Sequence, residues 1–353
     1  MAEFLCTCWD MQPIKLLVVV GAAGLAWLVT CVLFLSYRCT LLRAPLGLRR
    51  LYYQRIALCP VVLGGVAFLA TLSPTSFKLC SLIQKCYEAV TLSTFGSLLF
   101  ALLWHESGAG SGSVEEGVKV VVEALALQGP RKHYGAPPCG CCFRPCLSAH
   151  DLTVRDLRFV HSLVRQYVVL MPLCGLLGTF LLSSVRIDVL LEYGGVLKGI
   201  RVVSSLLCLY GLFIMYLSTH DLLHRWNTTK KFVAIKVVLI VMAFQEMLLD
   251  HFAPDFLERR GYSCFSHVGF TYLAWGEVEA GYWGMWLLAL EMVPMIVALR
   301  FAFPAKELKE VMPEIHSELL ELALDGSIEK ERSYREDSRV SETESDGSES
   351  ESD

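Results

Sequence analysis

Seven apolar runs separated by polar connections organise this chain: Leu16 to Leu35, Ile56 to Leu72, Tyr87 to Trp104, Phe159 to Leu182, Ile200 to Leu217, Phe232 to Leu249 and Tyr282 to Phe303. Each is close to the roughly 20 residues a helix needs to cross the hydrocarbon core of a bilayer. The second is short and the fourth contains Pro172, so their limits are the least sharply drawn. Leu16 to Leu35 could be a signal peptide, but it lacks a basic start before Lys15, is too long for an apolar core of that kind and has no small-residue cleavage site. It reads as the first membrane helix. The pattern predicts an all-α integral membrane protein, a seven-transmembrane helix bundle.

Two further segments are periodic without being apolar all round. In the connection 105–158, a Gly/Ser linker from Gly108 to Ser113 precedes Val118, Val121, Val122 and Leu125, which recur at helical spacing opposite Glu115, Glu116, Lys119 and Glu123. This predicts a short amphipathic helix on the membrane surface. After the last span, Leu308, Val311, Ile315, Leu319 and Leu322 fall on one helix face, an amphipathic juxtamembrane helix over 305–324.

Composition agrees: the 353 residues are 54% hydrophobic with a mean hydropathy of +0.49, beyond soluble-domain usage. The net charge of -4 is uneven, because Val340 to Asp353 holds only acidic, Ser, Thr and Gly residues after its first position. Such a segment cannot repay the entropy of folding, so 325–353 reads as a disordered acidic tail. The organisation is a short extracytosolic segment 1–15, a helical domain 16–304, the juxtamembrane helix and the tail.

Cytosolic loops retain Lys and Arg, which fixes orientation. One set of loops carries Arg38, Arg43, Arg49, Arg50 and Arg55, then Lys119, Arg131, Lys132, Arg144, Arg155 and Arg158, then Arg225, Lys230 and Lys231, then Lys306 and Lys309. The other carries Lys15, Lys78, Lys85, Arg186, Lys198, Arg259 and Arg260. The N-terminus is therefore expected outside and the C-terminus in the cytosol. The sequon at Asn227-Thr228-Thr229 then lies inside and should stay unmodified.

Candidate chemistry starts with Glu291, a carboxylate near the middle of an apolar span. A charge at that depth costs a few kcal/mol even on lenient scales and by default faces the bundle interior. It is either a protonated hydrogen-bonding link between helices or a group in a solute pathway. Lys236 lies roughly 6 Å into its helix and Glu291 roughly 18 Å into its own at 1.5 Å per residue, so they are not a direct pair. Lys236 either snorkels to the head groups or binds an anion, and Gln166, at similar depth, could share a polar pocket with it. Glu88 stands beside Lys85 near the outer end of its span, where a local ion pair is the simpler reading.

Cys139, Cys141, Cys142 and Cys146 crowd the basic connection before the fourth span. A reducing cytosol argues against disulfides, and the adjacency of Cys141 and Cys142 departs from the regular spacing of zinc knuckles. Reversible palmitoylation fits juxtamembrane thiols, with metal binding and free thiols as the alternatives. His220, Asp221 and His224 form H-D-x-x-H, but no third ligand is fixed, so neither an enzyme nor a metal site is expected. Ser341, Thr343, Ser345, Ser348, Ser350 and Ser352 lie among acidic residues and are candidates for acid-directed phosphorylation. A seven-helix receptor is the other class, yet Trp104-His105-Glu106 and Phe301-Ala302-Phe303-Pro304 stand where coupling signatures would be. A receptor or a trafficking or signalling scaffold without transport is the alternative reading.

Cys86-Tyr87-Glu88-Ala89, the Cys cluster, Gln166-Tyr167 with Pro172, Lys231-Phe232 through Lys236 to Phe244-Gln245, Glu291-Met292 and Phe301-Ala302-Phe303-Pro304 occur in an order and spacing that resemble one family. Over Leu16 to Leu308 the chain resembles the organic solute transporter alpha subunits and the related transmembrane protein 184 group. It departs from them at Phe244 and Glu246, which flank Gln245 where the family commonly has Trp and a small residue, and Glu246 and Asp250 add negative charge there. These carboxylates either mark a different solute or face outside water. The resemblance implies seven helices and facilitated diffusion of amphipathic organic solutes, such as steroid or bile-acid-like anions or lipid-like molecules. It makes Glu88, Gln166, Lys236, Gln245 and Glu291 the pathway candidates. It also implies membrane lipids, a single-span beta-type subunit or a second copy as partners, and no nucleic acid or cofactor. Plasma membrane and endosomal or vacuolar membranes all suit these spans.

Overall fold

The computed structural model describes residues 13–45, 47–73, 76–108, 114–127, 129, 134, 149–184, 187–237 and 272–309. Every element there is helical: α1 Pro13–Leu42, α2 Leu48–Leu72, α3 Phe77–Glu106, α4 Val114–Ala126, α5 Val154–Ser184, α6 Ile187–Thr219, α7 over 228–237 and α8 Tyr272–Ala302, with short 3-10 turns at His224–Trp226 and Ala305–Lys309. Six of these helices are long and apolar enough to cross a membrane. The predicted sixth span, Phe232 to Leu249, begins in α7 and otherwise lies outside the described residues. So do Gln245, Glu246, Asp250, the Cys cluster, the serines of the acidic tail and the predicted juxtamembrane helix beyond Lys309.

Small residues let the helices approach, as expected where no water drives association. Trp27 of α1 lies on Gly65 of α2, its Nε1 3.0 Å from where a Cβ would stand. The same nitrogen donates to Val61 O at 3.2 Å, and the ring stacks on Phe68 at 5.6 Å. Gly64, alongside, meets both Trp27 and Met292 of α8 at 3.4 Å, so three helices converge there. Trp286 Nε1 donates to Val19 O at 3.0 Å, while Tyr37 Oη donates to Phe303 O. The two contacts run in the same order along both helices, so α1 and α8 are parallel.

On the other side α3 runs antiparallel to α5, with Leu82 at Gly175, Gly96 at Val164 and Phe100 at His161. α5 in turn pairs antiparallel with α6, where Gly211 lies against Leu163 and the Val160 carbonyl and Gln166 reaches Ser204. Pro60, Pro172 and Pro294 all lie inside continuous helices. Such prolines are tolerated in a bundle, where neighbouring helices and local backbone adjustments re-satisfy the freed carbonyls.

The amphipathic helix forms as α4, but its apolar face has a protein partner. Val121 and Leu125 are buried in the core cluster, and Trp104 of α3 lies directly on Gly117. The helical period showed that one face is covered without showing what covers it.

Candidate functional site: buried charges at two levels of the bundle

Glu88 is the most deeply committed of the sequence candidates. The membrane-compatible stretch of α3 runs from Leu79 to Glu106, longer than the roughly 30 Å hydrocarbon core needs, and Glu88 lies nine residues, about 14 Å, from its start. Its side chain is 5% exposed, accepts from Gln84 Nε2 at 2.9 Å and pairs with Lys85 Nζ at 3.6 Å. The expected ion pair is there; its burial is not what the sequence suggested. Cys59 of α2 and Tyr167 of α5 are within electrostatic reach of the carboxylate. Three helices therefore meet around this charge.

Lys236 lies over the ring of Phe213 and 4.6 Å from the centroid of Phe232. Phe232 stacks on Tyr216 at 4.3 Å and packs against Phe95 at 6.4 Å. A desolvated ammonium on an aromatic face gains up to about 2 kcal/mol, a role in neither of the two sequence readings of this lysine. Gln166 Nε2 donates to Ser204 O at 3.3 Å. Ser204 and Phe213 are nine residues apart on α6, about 14 Å, so Gln166 and Lys236 engage that helix at different levels. Glu291 is half-buried on α8, next to Met292, whose side chain lies over Gly64.

A second buried charge cluster, which the sequence reading missed, closes the other end of α3. Lys231 of α7 is fully buried, and its Nζ donates to Glu307 Oε2 at 2.5 Å and to the Trp226 carbonyl. Tyr53 Oη of α2 donates to the same carboxylate oxygen at 2.7 Å. Arg49, buried one turn before Tyr53, lies over the Trp226 ring at 4.7 Å, and Trp226 Nε1 donates to Glu106 at 2.6 Å. Arg225 stands 3.9 Å from Glu106. In the sequence these cations look like ordinary loop charges, because Arg49-Arg50 and Lys230-Lys231 are basic pairs at helix starts. The one usable signal was Glu307, a lone acid between Lys306 and Lys309 just after a proline.

One face of α3 connects the two clusters. Glu88 and Glu106 are eighteen residues, five turns, apart and so project from the same side, with Thr91, Phe95, Leu99 and Leu102 buried between them. The result is a column about 27 Å long with a charged group at each end and an apolar, aromatic middle.

The connection before α5 is also anchored. Tyr134 Oη donates to Asp156, Tyr210 Oη donates to the Tyr134 carbonyl at 2.7 Å, and the Tyr134 ring stacks on His150 at 5.6 Å. Burial, with help from Asp156, pushes the Tyr134 phenol above its ordinary range and keeps it a donor. His220 Nδ1 lies 3.1 Å from Asp221 Oδ1 and the His220 and His224 rings are 6.0 Å apart. Among the described residues no three His, Cys, Asp or Glu side chains form a metal-holding group.

A family model described as Organic solute transporter Ostalpha matches residues 18–308. The chain belongs to this family. It is a multi-pass integral membrane protein of a solute-transporter family, as the order of its motifs implied. No solved structure matches it.

Proposed function

We propose that this Ostalpha-family chain is a carrier that moves amphipathic organic anions across a membrane by facilitated diffusion. Solutes of the steroid- or bile-acid-conjugate type, or lipid-like anions, have the matching chemistry: a charged head and a rigid apolar body. The observation that carries the reading is the family match over residues 18–308; within it the buried ion pair of Lys85 with Glu88, which is 5% exposed, brings a cation into the bundle. Ionisable groups buried among membrane helices are costly and mark solute or ion pathways. Below it the α3 face from Phe95 to Leu102 is packed in the core in this conformation, and Lys236 with its aromatic neighbours offers a second cationic position. Glu291 on α8 and Gln166 on α5 are assigned to the pathway as well, and Gln245 on family resemblance. The loop cysteines Cys139, Cys141, Cys142 and Cys146 are assigned to acylation, with the N-terminus outside and the acidic tail in the cytosol.

Uptake of a tritiated steroid conjugate into proteoliposomes containing the full chain tests this. Saturable uptake by the natural chain, at least tenfold lower in a monodisperse Glu88→Gln variant, is expected. Uptake no greater than in protein-free liposomes by a folded natural chain overturns an autonomous carrier. Uptake restored by adding a single-span beta-type subunit would then locate the missing component.

A further inference from the structure

Glu307 sits on the 3-10 turn after α8, yet its carboxylate is inserted among groups from two other helices, α2 and α7. Lys231 of α7 and Tyr53 of α2 both donate to Oε2, and Arg49 lies one turn before Tyr53 on α2. The other oxygen, Oε1, is buried with no hydrogen-bond partner, although an ionised carboxylate has room for about four. A buried acceptor left unused is costly, so this side chain does not saturate the position it fills. The donors surround an anion position more than they surround Glu307.

The groups also differ in exposure and in the elements that carry them. Lys231 and Tyr53 belong to helices packed in the bundle and are fully buried, whereas Glu307 belongs to a five-residue turn and is 14% exposed. If the turn lifts, it leaves an ammonium and a phenol hydroxyl behind, with a guanidinium nearby. A buried cation stripped of its partner favours any anion that can reach it. Phe303, edge-on to Tyr53 at 5.1 Å, and Tyr37 supply an aromatic wall beside that position.

We propose that Lys231, Tyr53 and Arg49 form a binding site for the anionic head group, carboxylate or sulfate, of an amphipathic solute, and that Glu307 is its built-in occupant in this conformation. The nature of the solute rests on the carrier reading above; the anion site does not.

Chemical rescue tests it on the full chain in detergent. Glu307→Ala is expected to melt below the natural protein, and acetate, at constant ionic strength against chloride, to raise its melting temperature by about 3 °C or more. Acetate should leave the natural protein unchanged and do nothing for Glu307→Ala combined with Tyr53→Phe and Lys231→Met. In the second arm, a tritiated steroid sulfate should bind Glu307→Ala at least tenfold more tightly than it binds the natural chain, while the uncharged parent steroid does not discriminate. Should Glu307→Ala not fold, the isosteric Glu307→Gln takes its place in the second arm. No rescue by acetate, or equal rescue when the donors are removed, overturns the site. Rescue by acetate without tighter steroid sulfate binding overturns the solute assignment and leaves a site for small anions or lipid head groups. Rescue and tight binding by a chain that shows no flux overturns the carrier reading and keeps the site.

Discussion

Lys231 has no route to water, so its charge depends on Glu307, on the Trp226 carbonyl and on the nearby ring of Tyr53. Removing one member of a buried pair costs about 3 to 5 kcal/mol, because the other charge is left uncompensated. Lys231→Met should therefore melt far below the natural protein. Combining it with Glu307→Gln should cost less than the two changes summed, which a double-mutant cycle of melting temperatures reads directly. Additive losses would mean that the two side chains do not act on one another. Glu88 and Glu291 show what was legible at this scale. A single acid in an unbroken apolar run announces itself, and Glu291 did. Glu88 was named as a candidate but read at the outer end of its span, because Lys78 and Lys85 interrupt the apolar run and make it start at Tyr87. The helix continues through that gap, since Lys is a good helix former, and Glu88 three residues on pairs with Lys85, a compensation that hydropathy cannot register.

Between whole helices, the contacts that decide the packing are made where a side chain is missing. At Gly211 a Cβ would stand 3.0 Å from Leu163 Cβ and 3.3 Å from the Val160 carbonyl, so α5 and α6 touch there almost backbone to backbone. Gly211→Leu should push them apart and cost about 1 to 3 kcal/mol as overpacking, read as a lower melting temperature in detergent, and Gly211→Ala should also lower it, since its Cβ already meets Leu163 Cβ and a backbone carbonyl. Melting temperatures unchanged by either substitution would show the interface to be loose. Gly117 is a test of a different kind. Trp104 covers it, so Gly117→Leu should detach α4 while leaving the membrane helices intact. Hydrogen exchange over Val114–Ala126 should rise, with protection in α2 and α3 unchanged. Six of the apolar runs lie within helices, since length and apolar content are the whole requirement for a span. The partners of each face stayed hidden, because period 3.6 records that a stripe is covered and is silent on whether lipid or protein covers it.

For the molecule as a whole, direction is the strongest evidence on how many times the chain crosses. The C-terminal ends of α1, α3, α6 and α8 are tied together at one end: Tyr37 reaches Phe303, Trp226 just after α6 reaches Glu106, and Tyr53 reaches Glu307. α6 and α8 therefore both run toward this end. Two successive spans with the same direction require an odd number of crossings between them, and α7 leaves this end at 228–237 on its way to the start of α8. On that parity a crossing within the predicted stretch Phe232 to Leu249 is the expectation to test, beside the six membrane-length helices among the described residues. The shared end also gathers Arg43, Arg49, Arg50, Arg225, Lys230, Lys231 and Lys306, so the positive-inside rule makes it the end expected in the cytosol. Asn227 lies at this end, exposed and with φ of 50° as the cap of the 3-10 turn, so its sequon should escape the glycosylation machinery despite being accessible. A sequon engineered between residues 255 and 265, beyond the proposed crossing, should be glycosylated. Expression in microsomes with and without glycosidase treatment reads both sites as a mobility shift on a gel. A shift from the engineered site alone establishes both the crossing and the orientation. A shift from Asn227 alone inverts the orientation while keeping the crossing. The same result at both sites, shifted or unshifted, places them on one side of the membrane and removes the seventh span.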